Sequence, residues 1–223
     1  MSEEHYPFVV DEETLQPERV TQLLHRQQEL QDESQRVLEE LNLLPLLSQA
    51  GIVRQVGSSV LGLMVWRDID LAVSSPGLHI ARVWETMQLL CIHPQVRRIR
   101  YLNESGSYNP TNLPIDERYY FGIYYDTATS DVGDAGNEWK IDVSFWLMPG
   151  IHPEPVHEAV EQQLTPETRL AILWIKDEWY QLPVYRNEVY STDIYDAVLQ
   201  HGVRTPGEFD TYLVQRGKPS RNH

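Results

Sequence analysis

Two aspartates, Asp68 and Asp70, flank Ile69 in a run with strand character. On a strand, residues i and i+2 point to the same face, so both carboxylates project together while Ile69 enters the core. Two like charges about 7 Å apart along a strand repel each other unless a positive charge lies between them. Mg²⁺ supplies such a charge, and it typically takes one or two carboxylates together with substrate phosphates. The spacing therefore predicts a site for a divalent cation that also binds phosphate.

A candidate phosphate cradle lies upstream of these aspartates. Gly57 and Ser58 follow the short β-branched run 52–56. Glycine lets backbone N–H groups approach an anion closely, and the serine hydroxyl adds a hydrogen-bond donor. We therefore expect a triphosphate to lie between this turn and the cation.

A third carboxylate, Asp142, stands between apolar neighbours in a later strand pattern. By alternation, Lys140, Asp142 and Ser144 share one face of that strand. If this strand lies beside that of Asp68 and Asp70, Asp142 reaches the same cations. Two cations then clamp the attacking and leaving oxygens of an in-line displacement. Lys140 either neutralises a phosphate from the Asp142 face or is an exposed edge lysine, and the sequence leaves both open.

The order Gly57-Ser58, turn, Asp68-x-Asp70, and a later strand with Asp142 resembles the polymerase-β-like nucleotidyltransferase superfamily, in its small antibiotic or minimal form. The resemblance covers about residues 51–147. It implies transfer of a nucleoside monophosphate from an NTP to a hydroxyl acceptor, with release of pyrophosphate and with two Mg²⁺ ions, which Mn²⁺ can replace.

The resemblance also implies a role for each motif residue. Gly57 and Ser58 would hold the β- and γ-phosphates, while Asp68 and Asp70 would bind both cations. Asp142 would bind the catalytic cation and help to deprotonate the acceptor hydroxyl. These three aspartates are the expected catalytic and metal-binding residues.

The sequence departs from the family pattern at two points. Small members usually carry Arg or Lys in the turn after Gly-Ser, whereas residues 59–61 here are uncharged. They also usually have Ser before the first Asp, where this chain has Arg67. We predict that Arg67, with Lys140, supplies the missing positive charge to the nucleotide.

The acceptor is expected to be a small molecule. The acidic C-terminal part favours a cationic one, such as an aminoglycoside-like compound. Two alternatives stay open. The first is a protein-modifying nucleotidyltransferase, of the AMPylating or antitoxin-like kind. The second is a non-catalytic module of the same fold that binds a nucleotide or a partner.

Composition limits the partners and the location. The 223 residues carry a formal charge of −15, which disfavours binding of duplex nucleic acid through phosphate contacts. No apolar run approaches the roughly 18 residues of a membrane helix, so we expect no membrane partner. The acidic start lacks the regions of a secretory signal, which predicts a cytoplasmic location. One cysteine, Cys91, excludes a Cys-rich zinc site.

Hydrophobic periodicity predicts an α+β fold with three parts. These are an N-terminal helical arm (1–50), a nucleotidyltransferase core with a small mixed sheet (51–150) and a helical C-terminal region (151–223). The arm contains a long helix at 17–42, which packs on its own domain or forms a homodimer with a second copy. Prolines from Pro149 to Pro155 predict a linker. Strands are expected at 52–56, 69–73, 97–102, 119–125 and 139–147, with a helix at 80–90.

Overall fold

The computed structural model describes residues 14–127, 137–149 and 154–221. The helices found there are α1 (Pro17–Glu40), α2 (Leu43–Leu47), α3 (Ser58–Leu61), α4 (Ile80–Cys91), α5 (Glu154–Glu161), α6 (Pro166–Trp179), α7 (Ser191–His201) and α8 (Pro206–Gln215). The strands are β1 (Ile52–Val56), β2 (Asp68–Ser74), β3 (Val96–Glu104), β4 (Arg118–Asp126) and β5 (Glu138–Trp146). The predicted α+β class is confirmed.

The five strands form one mixed sheet in the order β1-β2-β5-β4-β3. Strand β2 runs parallel to β5, whereas the β1–β2, β4–β5 and β3–β4 pairs are antiparallel. This order places β2 and β5, the two strands that carry the candidate aspartates, side by side at the centre of the sheet.

Alternation along β5 separates the two faces of the sheet. Its apolar members are fully buried, namely Trp139, Ile141, Val143 and Phe145. The intervening residues, from Glu138 to Trp146, are half-buried on the opposite face. Ile69 on β2 is likewise fully buried between two half-buried aspartates. The predicted orientation of the carboxylates, away from the core, is therefore confirmed.

Helix α1 matches the predicted helix at 17–42 to within two residues at its C-terminal end. Its apolar residues Leu30, Val37 and Leu38 belong to the same core cluster as the buried face of the sheet. The helix therefore packs on its own domain, which is one of the two arrangements left open by the sequence. Pairing with a second copy stays a prediction.

The structure differs from the predicted elements in three places. The turn at Gly57 continues into α3, a single helical turn. Helix α5 begins at Glu154, inside the stretch predicted as a linker. Pro155 is compatible with this start, because proline lacks an N–H and the N–H groups of the first helical turn have no acceptor within the helix. Helix α7 was not predicted. The rest of the predicted linker, 150–153, and the residues 128–136, between the predicted strands at 119–125 and 139–147, lie outside the described residues.

The chain divides into two compact units, and the division into three parts stays a prediction. One comprises the chain up to Leu23 and from Pro166 onward, and the other comprises Leu24–Thr165. In the first, Trp179 and Phe209 pack edge to face with ring centroids 5.3 Å apart. All the candidate site residues belong to the second. None of the described helices is both long and apolar enough to cross a membrane.

Candidate active site

The three aspartates meet because β2 and β5 pair in parallel. In the register of this pair, Asp70 lies opposite Asp142 and Asp68 lies opposite Lys140. All four side chains project from the same face of the sheet, since they occupy alternate positions on adjacent strands. The structure therefore brings together the carboxylates that the sequence placed on separate strands.

The turn at Gly57 closes on the carboxylate of Asp70. Gly57 has φ +78°, and a Cβ atom built on it would lie 2.1 Å from Asp70 Oδ2. No other residue fits at this position without displacing that oxygen. The Gly57 N–H, predicted to bind phosphate, donates instead to His157 Nε2 on α5 at 2.7 Å. A phosphate that binds this amide has to displace the imidazole.

Lys140 places a positive charge among the carboxylates. Its Nζ lies 2.5 Å from Asp142 Oδ2 and 3.7 Å from Asp68 Oδ1. Burial alone would lower the pKa of Lys140, but Asp68 and Asp142 outweigh it, so the pKa lies above its ordinary value. The ammonium therefore stays charged at neutral pH and offsets part of the repulsion between the aspartates.

Tyr120, on β4, reaches the other oxygen of Asp142. Its hydroxyl donates to Asp142 Oδ1 at 2.7 Å. Gly122 faces Asp142 in the register, and a Cβ there would lie 3.1 Å from the Tyr120 hydroxyl, so the missing side chain leaves room for the ring. Burial raises the pKa of Tyr120, and the charge of Asp142 raises it further, so this hydroxyl acts as a donor.

These groups line a cavity of about 370 Å³. Its lining includes Asp70, Asp142, Tyr120, Ser144, Gly57, His157, Arg118 and Trp146. Asp68 and Lys140 lie beside the cavity and are not part of its lining. The volume suits part of a nucleotide or a small acceptor.

Arg118 is the basic residue in the cavity lining. It donates through Nη1 to Ser144 Oγ at 3.1 Å and through Nε to Glu104 Oε2 at 2.5 Å. Its guanidinium also lies 5.1 Å from the ring centre of Trp146 and 5.4 Å from that of Tyr120. Arg118 therefore combines a positive charge with two aromatic surfaces.

Besides Lys140, two predicted nucleotide-binding residues lie outside the cavity lining. Arg67 forms two hydrogen bonds to Glu33 on α1, at 2.8 and 3.1 Å. Ser58 begins α3 and is buried. That either residue contacts a nucleotide stays a prediction.

The donor set can be compared with what a divalent cation requires. Among the described residues, no three His, Cys, Asp or Glu side chains form a group that could hold a metal ion unaided. Asp70 and Asp142 nevertheless lie opposite each other on adjacent strands, beside the turn at Gly57. A nucleotide-bound Mg²⁺ usually takes only one or two protein carboxylates, with phosphates completing its coordination. The residues fit a cation that arrives together with a triphosphate.

Comparison with known proteins yields similarities in fold. No family model and no curated protein sequence matches the chain. The structure of Cid1 in complex with the UTP analogue UMPNPP is similar, with 15% identity over 71% of this chain and 45% of Cid1, at a TM-score of 0.42. CdnC of E. coli MS115-1 with ATP is similar with 15% identity over 91% of this chain and 73% of CdnC, at a TM-score of 0.47. At this identity each likeness concerns the fold alone, and what the site can do depends on this chain's own residues.

Three site residues were not identified as such from the sequence. Arg118 lies one residue before the predicted strand at 119–125, and its position in the cavity follows from the pairing of β4 with β5. Tyr120 is one of several tyrosines on β4, and nothing in the sequence distinguishes it from those that pack in the core. His157 lies just after the predicted linker, with no spacing that indicates a site. Only alternation along β4, which puts Arg118, Tyr120 and Gly122 on one face, offered a signal.

Proposed function

We propose that the chain is a nucleotidyltransferase of the polymerase-β-like superfamily, which moves a nucleoside monophosphate from an NTP to a hydroxyl acceptor. The observation that carries the proposal is the pairing of Asp70 with Asp142 on parallel strands, beside a glycine turn and at the wall of a cavity. Carboxylates next to a backbone turn are suited to binding a triphosphate with its cation, once the phosphate has displaced His157 from the Gly57 N–H.

In this reaction the acceptor hydroxyl gives its proton to Asp142. The acceptor oxygen forms a bond to the α-phosphorus, the bond between that phosphorus and its bridging oxygen to the β-phosphate breaks, and pyrophosphate leaves. Tyr120 and Lys140 each engage one oxygen of Asp142, so its carboxylate is held in one orientation. A base held in this way removes a proton along a fixed direction, which favours in-line attack.

As the family resemblance implies, Asp68, Asp70 and Asp142 would hold two divalent cations, Mg²⁺ or Mn²⁺, with phosphates completing their coordination. When bound, such a cation neutralises phosphate charge and stabilises the developing negative charge. On the protein side, Gly57 allows the Asp70 carboxylate to lie directly against the phosphate-binding turn. The triphosphate therefore approaches Asp70 from the Gly57 side.

Arg118 is the residue best placed to supply the positive charge that the turn after Gly57 lacks. Its guanidinium lines the cavity, whereas Arg67 is engaged by Glu33. The aromatic rings beside Arg118 offer surfaces on which a nucleobase or an acceptor ring can stack. The side of the cavity formed by Arg118 and these rings can therefore bind both an anionic group and a planar ring.

The acceptor is proposed to be a hydroxyl-bearing small molecule, with aminoglycoside-like compounds as the first candidates. A protein side chain as acceptor uses the same chemistry and is separated from a small molecule by the mass of the product. A cytoplasmic location suits an enzyme that draws on cellular NTP pools.

Pyrophosphate release tests the proposed function. The protein is incubated with Mg²⁺ and each of ATP, GTP, CTP and UTP, with and without a metabolite extract and a panel of aminoglycosides and lincosamides. We expect release that requires an added compound and is absent from the Asp70→Asn variant. Release accompanied by a mass gain on the protein would move the acceptor to a side chain. Binding of an NTP without any release would favour a non-catalytic module instead.

Replacement of Tyr120 by phenylalanine is expected to lower kcat about 10- to 100-fold, because a hydrogen bond to a charged group contributes about 1.5–3 kcal/mol. The KM for NTP should change little, since the hydroxyl contacts Asp142 rather than the Gly57 turn. Steady-state kinetics of pyrophosphate release measure both constants.

Gly122→Ala provides a matched test of the same hydrogen bond. Its Cβ would lie 3.1 Å from the Tyr120 hydroxyl, so the hydroxyl has to shift by a few tenths of an ångström. We expect a smaller loss in kcat than in Tyr120→Phe, and little further loss when the two substitutions are combined, since both act on one interaction. Fully additive losses would show that Gly122 and Tyr120 act separately.

A further inference from the structure

Lys140 occupies a position that distinguishes this site from a simple cluster of three carboxylates. It lies opposite Asp68 in the register and two residues before Asp142, on the same face of the sheet. Its side chain is 23% exposed, and its ammonium bridges Asp142 Oδ2 and Asp68 Oδ1 at 2.5 and 3.7 Å. A single lysine thus spans the two strands at the point where a cation between them would lie.

The carboxylate of Asp142 is engaged at both oxygens by donors of this chain. Lys140 contacts Oδ2 and the Tyr120 hydroxyl donates to Oδ1. A divalent cation on Asp142 would share these oxygens with the two donors and would be repelled by the ammonium beside it. Asp70, in contrast, directs Oδ2 toward Gly57, on the side from which a triphosphate approaches.

The ammonium also changes the charge of the cluster. With Lys140 in place, the three aspartates keep only two uncompensated negative charges before a nucleotide binds, so the cluster attracts a second divalent cation less strongly than three carboxylates alone would. Compact ammonium groups also suit this role, because lysine acts as a point charge rather than as a planar fork.

We propose that the Lys140 ammonium takes the place of one of the two divalent cations, so that each chain binds one divalent cation with its nucleotide. This inference rests on the proposed function and corrects the number of cations that the family resemblance implies. Lys140 holds the Asp142 end of the cluster, and the divalent cation binds at the Asp70 end with the triphosphate.

Native mass spectrometry of the full chain tests the inference by counting Mn²⁺ ions. The probes are Mn²⁺ with the non-hydrolysable α,β-methylene analogues of ATP, GTP, CTP and UTP, each in turn. We expect one Mn²⁺ in the analogue complex of the wild-type chain and two in that of Lys140→Met. Lys140→Gln serves as a second variant if Lys140→Met fails to fold.

Lys218→Met is the matched control. Lys218 lies in the other compact unit and pairs with both carboxylate oxygens of Asp193 at 2.7 Å, so its loss also leaves an aspartate without its lysine. This variant should retain one Mn²⁺ per analogue complex. Two ions in Lys218→Met would attribute the change to net charge rather than to the site and would overturn the inference.

The possible failures are distinguishable. Two Mn²⁺ ions in the wild-type complex, or one ion in the Lys140 variants, would overturn the inference and leave the nucleotidyltransferase proposal intact. Absence of any complex between the wild-type chain, Mn²⁺ and all four analogues would overturn both.

Thermal unfolding gives a second measurement that does not depend on activity. In EDTA without nucleotide, Lys140→Met should unfold at a lower temperature than the wild type, because the ammonium no longer offsets the repulsion among the aspartates. Mn²⁺ added together with the α,β-methylene analogue should restore more stability to this variant than to the wild type or to Lys218→Met. Equal responses of all three proteins to Mn²⁺ would contradict the inference.

Discussion

The Asp70→Asn variant is expected to lose nucleotidyl transfer by about 10³-fold or more, because a bound cation contributes several kcal/mol of charge stabilisation. Asparagine keeps the size of the side chain but removes the charge at the point where β2, β5 and the Gly57 turn meet. Pyrophosphate release under saturating NTP measures the loss, once the acceptor panel has identified conditions in which the wild type is active.

Folding of this variant should be preserved. Asp70 is one of three aspartates on a single face, and removal of one negative charge lowers the repulsion among them. We therefore expect a thermal unfolding midpoint equal to or above that of the wild type when no divalent cation is present. The same substitution at Asp32, which is exposed on α1 and accepts a hydrogen bond from Gln28, is the control and should leave activity unchanged. Full activity in Asp70→Asn would show that the Asp70 carboxylate is not part of the active site.

The local geometry of the site could be predicted because it depends on alternation along single strands. Asp68 and Asp70 share a face with Ile69 opposite, as do Lys140, Asp142 and Ser144 on β5. A period of two residues is set by the backbone and requires no knowledge of neighbouring strands. The same holds for α1, whose apolar spacing gives both its length and its buried side.

The pairing between distant strands could not be derived from the residues alone. The parallel register of β2 with β5 decides that Asp70 meets Asp142 and that Asp68 meets Lys140. A shift of one residue would turn every side chain of one strand to the other face, and only the packed core fixes the register. The sequence resemblance supplied the expectation that the strands are adjacent, but it gave no reason for the position of Lys140.

The remaining site residues depend on contacts between elements far apart in the chain. Tyr120 reaches Asp142 only because Gly122 leaves space between them. His157, on α5, accepts a hydrogen bond from the Gly57 N–H. The sequence predicted a linker just before this residue, because of its prolines, and no helix there. Such contacts follow from the fold as a whole and leave no periodic signal in the sequence.

Replacement of Gly57 by alanine should have an effect that combines backbone strain with a direct clash. Gly57 has φ +78° and ψ −162°, a region that residues with a Cβ almost never adopt. The added Cβ would also lie 2.1 Å from Asp70 Oδ2, so the carboxylate has to move. We expect a decrease in the free energy of unfolding of about 1–3 kcal/mol from the strain, and a loss of transfer activity comparable to that of Asp70→Asn from the displaced carboxylate.

Gly77→Ala separates these two contributions. Gly77 also has a positive φ, +69°, but a Cβ there would meet no atom within 4 Å. This variant should therefore lose stability from strain alone and keep its activity, whereas Gly57→Ala should lose both. Urea unfolding and pyrophosphate release, measured on the same preparations, distinguish the cases. Gly57→Ala could instead be destabilised no more than Gly77→Ala and remain active. Asp70 would then tolerate displacement from the turn, and the close approach of its carboxylate to the Gly57 backbone would not be required for the reaction.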